Sequence, residues 1–161
     1  MVFGLLLTAC TLDIPKLGEP FVSEQLVGEW NGDWTVDLLF QAGDGSLNVE
    51  VTEDGSLSWS LWMAGGPFTN DDHDYLEIEL EGQDDTEMLT LSGDVDILGQ
   101  AELNVTKDGM ISGHAIPDDI PPVEIAGYVN SNEVYLAFLL FEVIEGIAIL
   151  YPEDVQSTQA Q

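Results

Sequence analysis

Positive charge is almost missing from this sequence. Of its 161 residues only Lys16 and Lys107 are basic and none is arginine, whereas 31 are Asp or Glu, so the formal net charge is −29. A chain with this charge repels nucleic acid and anionic membrane surfaces, and we expect no nucleic-acid partner. The carboxylates are spread along the whole chain, which favours an acidified surface suited to a saline medium over one specific cation site.

Cysteine and histidine are also scarce, and this limits the chemistry that the chain can perform. Cys10 is the single cysteine, so no disulfide can form within one chain, and His73 and His114 are the only histidines. Zinc-ligand spacing, a nucleophile elbow and a phosphate-cradling glycine loop are all missing. Carboxylate pairs are so numerous that choosing a catalytic pair would be arbitrary. We therefore expect a protein that is not an enzyme and needs no cofactor.

Helical periodicity is the third thing that the sequence lacks, because apolar residues alternate with polar ones instead. The clearest case is the segment 26–40, in which every even position is apolar or glycine, including Trp30 and Trp34. This pattern predicts one long curved strand with Leu38 and Phe40 on its buried face. Gly28 and Gly32 share that face and permit a bend or a close backbone approach.

Further alternating segments follow, joined by short turns. Glu53-Asp54-Gly55 and Lys107-Asp108-Gly109 occupy equivalent places in two similar hairpins, for which we predict the pairs Val51–Leu57 and Val105–Ile111; a third hairpin should pair Val129 with Val134. The pattern predicts an all-β fold of about 8–10 antiparallel strands. The architecture is an up-and-down β-barrel or a closed-up β-sandwich, spanning residues 26–151 and followed by a flexible tail over 152–161.

A short motif on the first strand adds a resemblance to a known fold family. Gly28-Glu29-Trp30 is similar to the glycine-x-tryptophan that opens lipocalin-like barrels, which implies an up-and-down barrel topology. The arginine and the cysteine pair of true lipocalins are absent. The resemblance therefore implies a relative with lipocalin-like topology.

The first ten residues resemble a bacterial export signal. Leu7-Thr8-Ala9-Cys10 looks like the lipobox of bacterial lipoproteins, with Val2 to Leu7 as a short apolar segment before it, although no Lys or Arg precedes that segment. The resemblance implies a signal segment over 1–10, a lipid on Cys10, a tether over 11–25 and a location at the bacterial cell envelope. The alternative is a buried N-terminal strand with a core cysteine.

The inward tryptophans are the candidate ligand-binding residues. Trp30, Trp34 and Trp59 should face the interior, and Gly113 and Ala115 occupy the repeat positions equivalent to Trp59 and Leu61. This exchange of large for small side chains could leave a cavity, with the loop 64–74 at its mouth. Ordinary core packing is the alternative.

One acidic segment could bind calcium. Asp71, Asp72 and Asp74 supply oxygen ligands, but Tyr75 stands where an EF-hand needs glycine, so only a looser Ca²⁺ site remains open. The alternative is that this acidic segment is an ordinary solvent-exposed loop without a bound ion.

Together these features predict a lipid-anchored envelope protein that binds a small apolar or amphipathic ligand without catalysis. The alternative is a structural or adhesive surface protein with a filled core, interacting through Trp62 or through Ca²⁺ bridges. We expect a monomer. The outer face of the strand near Tyr135 and Phe141 is apolar, so it is either covered or able to form an oligomer.

Overall fold

A computed structural model of the chain describes residues 12, 14, 15, 18–20, 22–66, 74–85, 87–95, 98–118 and 121–153. Regular structure in this part consists of ten strands and two short 3₁₀ helices. The helices span Ser23–Leu26 and Asp37–Leu39. The strands are β1 Gly28–Val36, β2 Gln41–Val51, β3 Leu57–Ala64, β4 Tyr75–Asp84, β5 Met88–Val95, β6 Gly99–Thr106, β7 Met110–Ile116, β8 Val123–Val129, β9 Val134–Leu140 and β10 Ile144–Pro152.

The ten strands form one closed antiparallel barrel. Each strand pairs with its neighbours in the sequence, and β1 pairs with β10 to close the sheet. The predicted all-β class and up-and-down topology are confirmed, and of the two architectures the barrel is the one adopted. The predicted pairs Val51–Leu57, Val105–Ile111 and Val129–Val134 are all present. The β1–β10 pairing joins the first strand to the last, so every strand has a hydrogen-bonded neighbour on each side.

The barrel interior holds one apolar core to which every strand contributes. Alternate residues of each strand point inward, so the apolar residues of the period-two pattern line the barrel interior. Gly32 lies where β1 and β10 come close, since a Cβ at this position would lie 1.9 Å from the carbonyl oxygen of Ile149. The predicted close backbone approach at this glycine is confirmed.

The two ends of the barrel are built differently, and we name them by their connections. The turn end carries the short β2–β3, β4–β5, β6–β7 and β8–β9 turns, and the helix Ser23–Leu26 covers it. Leu26 is only 2% exposed, and the indole nitrogen of Trp30 donates a 2.9 Å hydrogen bond to its carbonyl oxygen. The loop end carries the β1–β2, β3–β4, β5–β6, β7–β8 and β9–β10 connections.

The prediction that one strand spans residues 26–40 is wrong at both limits. Leu26 belongs to the 3₁₀ helix, and β1 begins at Gly28. β1 ends at Val36, which pairs with Gln41, and the intervening residues form a 3₁₀ turn. Leu38 is 64% exposed and Phe40 is 97% exposed, so neither is on the buried face. A fifteen-residue strand would be longer than the barrel wall, and Phe40 reverses the chain with a left-handed backbone (φ 52°).

A segment before β1 lies on the outside of the barrel. The backbone nitrogen of Glu19 donates to the carbonyl oxygen of Val129 at 3.2 Å, and Leu12 and Ile14 pack against an outer cluster of Tyr128, Tyr135, Ala137 and their neighbours. Every residue of β9 is buried, on both faces of the sheet. The outer face of β9 is thus covered, as one of the two alternatives predicted.

Candidate functional site

Described residues inside the barrel line two small cavities, and the walls of both are hydrophobic. Each has a volume of about 40 Å³. The loop-end cavity reaches toward Met63 and Leu140, and the turn-end cavity reaches toward Trp59 and Leu103. Five residues line both cavities, so the two adjoin along the barrel axis: Leu61, Ile78, Leu98, Ile125 and Leu136.

The size of these cavities limits what they can accept. A space of roughly 10–15 Å³ is enough for one water-sized group, so each cavity has room for a few such groups in a row. A site for a drug-sized molecule is typically about 300–1,000 Å³, which is far larger. These two cavities therefore suit a slender chain of methylene groups and are too small for a rigid ring system.

Trp59 is the one residue of the cavity wall that carries a hydrogen-bond donor. Its side chain is 2% exposed, and its indole Nε1 has no hydrogen-bond partner among the residues that the structure describes. The other two inward tryptophans differ, because Trp30 donates to Leu26 and Trp34 donates to the carbonyl oxygen of Ala64 at 2.9 Å. A buried N–H without an acceptor is costly, so the Trp59 indole is an unsatisfied donor in a residue that lines the turn-end cavity.

The predicted ligand-binding residues divide into two groups. Trp59 and Ala115 both line the turn-end cavity. Trp30 and Trp34 are buried in the core without lining either cavity. Gly113 does not open into free space, because a Cβ there would lie 2.5 Å from the Leu103 side chain.

Trp34 instead closes the barrel wall near the loop end. It is completely buried, and its ring packs under Gly66, where a Cβ would come within 2.1 Å of Cη2. The backbone nitrogen of Gly65 donates to the carbonyl oxygen of Asp74 at 2.7 Å, which joins the two limits of the predicted mouth loop. The indole therefore fixes where this loop leaves the barrel.

Leu98 lines both cavities, and sequence reasoning missed it. It lies between β5 and β6, outside any alternating segment, and is buried. The other shared lining residues follow the period-two pattern and could be placed inward from the sequence. No sequence signal marks Leu98, because its burial depends on how the connection folds over the barrel.

A second concavity of about 590 Å³ lies on the outer face, and we call it the outer trough. Tyr151, Asn31, Ser46 and Trp62 form one row across β10, β1, β2 and β3, each directly opposite the next. The two small polar side chains lie between the two aromatic ones. Asp33 and Asp44, which face each other across β1 and β2, border this row.

Trp62 lies on the outer side of β3, as the sequence predicted. Its ring centroid lies 5.9 Å from that of Tyr75 on β4, so the aromatic wall is two rings wide. The trough offers apolar ring surface beside amide, hydroxyl and carboxylate groups. Such a surface can bind a partner with mixed polar and apolar character.

The metal candidates are only partly within the described residues. Asp71 and Asp72 lie outside them, and Asp74 is exposed. Within the described residues no three His, Cys, Asp or Glu side chains converge to hold a metal ion. His114 is exposed on β7, between Glu102 and Glu124 on the neighbouring strands.

The features proposed from the N-terminus also fall outside this region, since Cys10 is not among the described residues. No helix in the described part of the chain is both long enough and apolar enough to cross a bilayer. Comparison with protein families, curated proteins and solved structures finds no match to this chain.

Proposed function

We propose that this chain is a non-catalytic binding protein whose barrel takes up a slender apolar ligand with one hydrogen-bond acceptor. The observation that carries the proposal is the unpartnered indole N–H of Trp59 in the wall of an otherwise apolar cavity. Each methylene group buried there contributes about 0.8 kcal/mol, and a hydrogen bond to the indole adds about 1 kcal/mol. A linear alkyl or acyl chain with a carbonyl, ester or ether oxygen fits this chemistry.

The acceptor should be uncharged. No basic side chain lines either cavity, so a carboxylate would be buried without a counter-charge at a high cost. The net charge of −29 makes entry of an anion still less favourable. Neutral esters, alcohols and ethers are therefore the preferred class over ionised fatty acids.

We further propose that the protein works at a bacterial cell envelope, anchored by a lipid on Cys10. The support is the resemblance of Leu7-Thr8-Ala9-Cys10 to a lipobox. A lipid anchor would keep the barrel close to membrane lipids, which are a source of chain-like ligands.

Binding of methyl esters of straight-chain fatty acids with 4 to 6 carbons tests the proposal, because the two adjoining cavities together hold only a short chain. Calorimetry should show binding to the wild-type chain, and Trp59→Phe should weaken binding of the ester about five- to tenfold. The same variant should not change the affinity for an alkane of equal length, because an alkane has no acceptor.

A second variant tests the position of the ligand. Ala115→Leu places a larger side chain in the turn-end cavity and should abolish binding of the longer esters. Trp30→Phe, which lies outside both cavities, is the matched control and should leave the affinity unchanged. Equal affinity in wild type and Ala115→Leu, with an intact melting transition, would mean that the interior is not the binding site.

The outer trough favours a second candidate function, that of an adhesive or structural surface protein. Trp62 and Tyr151 offer aromatic contacts, and Asp33 with Asp44 could share a bridging Ca²⁺ with another molecule. Light scattering in millimolar CaCl₂, compared with NaCl at equal ionic strength, tests this function. Calcium-specific clustering that Trp62→Ala removes would support it, and clustering that is equal in both salts would contradict it.

A further inference from the structure

Large apolar side chains are exposed together at one side of the loop end. Leu38, Leu39 and Phe40 form the β1–β2 connection, and Phe141 and Val143 belong to the β9–β10 connection. Phe40 is 97% exposed and Val143 is 68% exposed. Because β2, β1, β10 and β9 are consecutive in the sheet, the two connections are close neighbours, and β10 contacts the 3₁₀ helix of the first one. We call these five residues the apolar rim.

The backbone of the rim is held in an unusual conformation. Phe40, Phe141 and Glu142 have φ angles of 52°, 53° and 62° and are the only non-glycine residues with positive φ in the described part of the chain. A left-handed backbone is unfavourable for residues with a side chain. Both connections therefore adopt a costly turn that presents aromatic rings to solvent, and such strain is typical of functional surfaces.

The negative charge of the chain limits which partners the apolar rim can bind. Two copies would each carry −29, so pairing of rims between copies works against strong repulsion. Asp37 and Glu142 border the rim and would disfavour an anionic membrane surface as well. A lipid bilayer with zwitterionic headgroups supplies hydrocarbon for the rings without adding negative charge.

We propose that the apolar rim inserts into the interface of a zwitterionic bilayer and holds the barrel with its loop end toward the membrane. The rim residues act as the contact, and Asp37 and Glu142 stay in the headgroup region. This proposal does not depend on the ligand proposed above or on a lipid at Cys10.

Co-sedimentation with phosphatidylcholine vesicles tests the proposal. The full chain carries Cys10→Ser so that no lipid is attached. The assay contains 1 M NaCl, which shortens the Debye length to about 3 Å and so screens charge repulsion. The double variant Phe40→Ser with Phe141→Ser should lower the partition coefficient about tenfold or more. The control pair Val22→Ser with Val51→Ser removes exposed apolar residues at the turn end and should change it less than about twofold.

Several outcomes would overturn the proposal. Equal losses in the rim and control variants would assign vesicle binding to another part of the chain. Stronger binding to anionic than to zwitterionic vesicles would contradict the charge argument. Phe40-dependent self-association without vesicle binding would make the rim an interface between copies. Ester binding, measured in the same rim variant, should persist, which separates this test from that of the ligand.

Discussion

The turn end and the loop end of the barrel differ in the burial and hydrogen bonding of their side chains. At the turn end Leu26 of the 3₁₀ helix is buried, and Asp84 accepts hydrogen bonds from both Ser23 and Lys107. At the loop end Leu38 and Phe40 are exposed on a strained turn. We therefore expect Leu26 at the turn end to contribute more to stability than the exposed residues of the loop end.

The turn end also repeats one hydrogen-bonding device. The hydroxyl of Thr52 bonds to the Asp54 carboxylate and the Ser56 carbonyl oxygen, and Thr106 does the same with Asp108 and the Met110 carbonyl oxygen. The two similar hairpins predicted from the sequence therefore share their side-chain chemistry. This repetition makes the turn end uniform, whereas the connections at the loop end differ from one another.

The largest expected effect is the difference in stability between two variants, each of which truncates one leucine at one end of the barrel. Leu26→Ala should lower the free energy of unfolding by about 2–5 kcal/mol, because it removes a buried side chain from the turn end. Leu38→Ala should change it by less than about 0.5 kcal/mol, because Leu38 is exposed. Urea denaturation of both variants checks this, and equal losses would mean that the ends do not differ in stability.

A pair of glycines sharpens the comparison at the loop end. Gly65 and Gly66 both have positive φ, so alanine at either position costs about 1–2 kcal/mol in backbone strain. Only at Gly66 would the new methyl group meet the Trp34 ring. Gly66→Ala should therefore be the more destabilising variant by about 1–3 kcal/mol. Matching melting curves for the two variants would show that this ring is not fixed by the loop.

The Tyr128 hydroxyl at the turn end should add a pH dependence. It donates a 2.8 Å hydrogen bond to Glu133, and burial, followed by this bond and the nearby carboxylate, raises the pKa of Tyr128 above its ordinary value of 10.0. Its stabilisation is thus complete below pH 10 and declines as the pH rises above 10, because only the unfolded chain releases the proton.

Replacement of Tyr128 by Phe tests this dependence. Tyr128→Phe should cost about 1 kcal/mol at neutral pH. It should also make the alkaline decline shallower by up to about 1.4 kcal/mol per pH unit. Denaturant titrations at pH 8 to 12 check the slope. An unchanged slope would show that this hydroxyl ionises equally in both states.

The smallest expected effect is at an exposed turn. The side-chain hydrogen bond from Thr52, followed by bonds from Ser56, lowers the pKa of the Asp54 carboxyl below its ordinary value of 3.8. Thr52→Val should raise that pKa toward 3.8, as measured by NMR titration, while Asp108 in the equivalent hairpin serves as the internal reference. A pKa that stays unchanged would show that the hydroxyl is not the main cause.

The strands and their pairing were predictable because each depends on local pattern and turn chemistry. Val51–Leu57 and Val105–Ile111 follow from inward alternation on both sides of a three-residue turn. The limit of β1 was not predictable, since Leu38 and Phe40 continue the apolar alternation after the strand has ended. Where a barrel strand ends depends on the height of its neighbours.

The candidate site was predictable only in part. The sequence placed Trp30, Trp34 and Trp59 inside the barrel, which the structure confirms. It could not tell that two of the three indoles find a backbone carbonyl while Trp59 does not, because the acceptors come from Leu26 and Ala64. Nothing in the sequence indicates that either carbonyl oxygen accepts a hydrogen bond from an indole.

By itself the sequence determined the fold class, the inward faces, three hairpin registers and the acidity of the surface. These properties follow from spacing along the chain and from composition. Tertiary structure alone decided where the cavities lie, which indole N–H is left without an acceptor and which apolar residues reach solvent. Each of these depends on distances between residues far apart in the chain, and such distances are set only when the barrel closes.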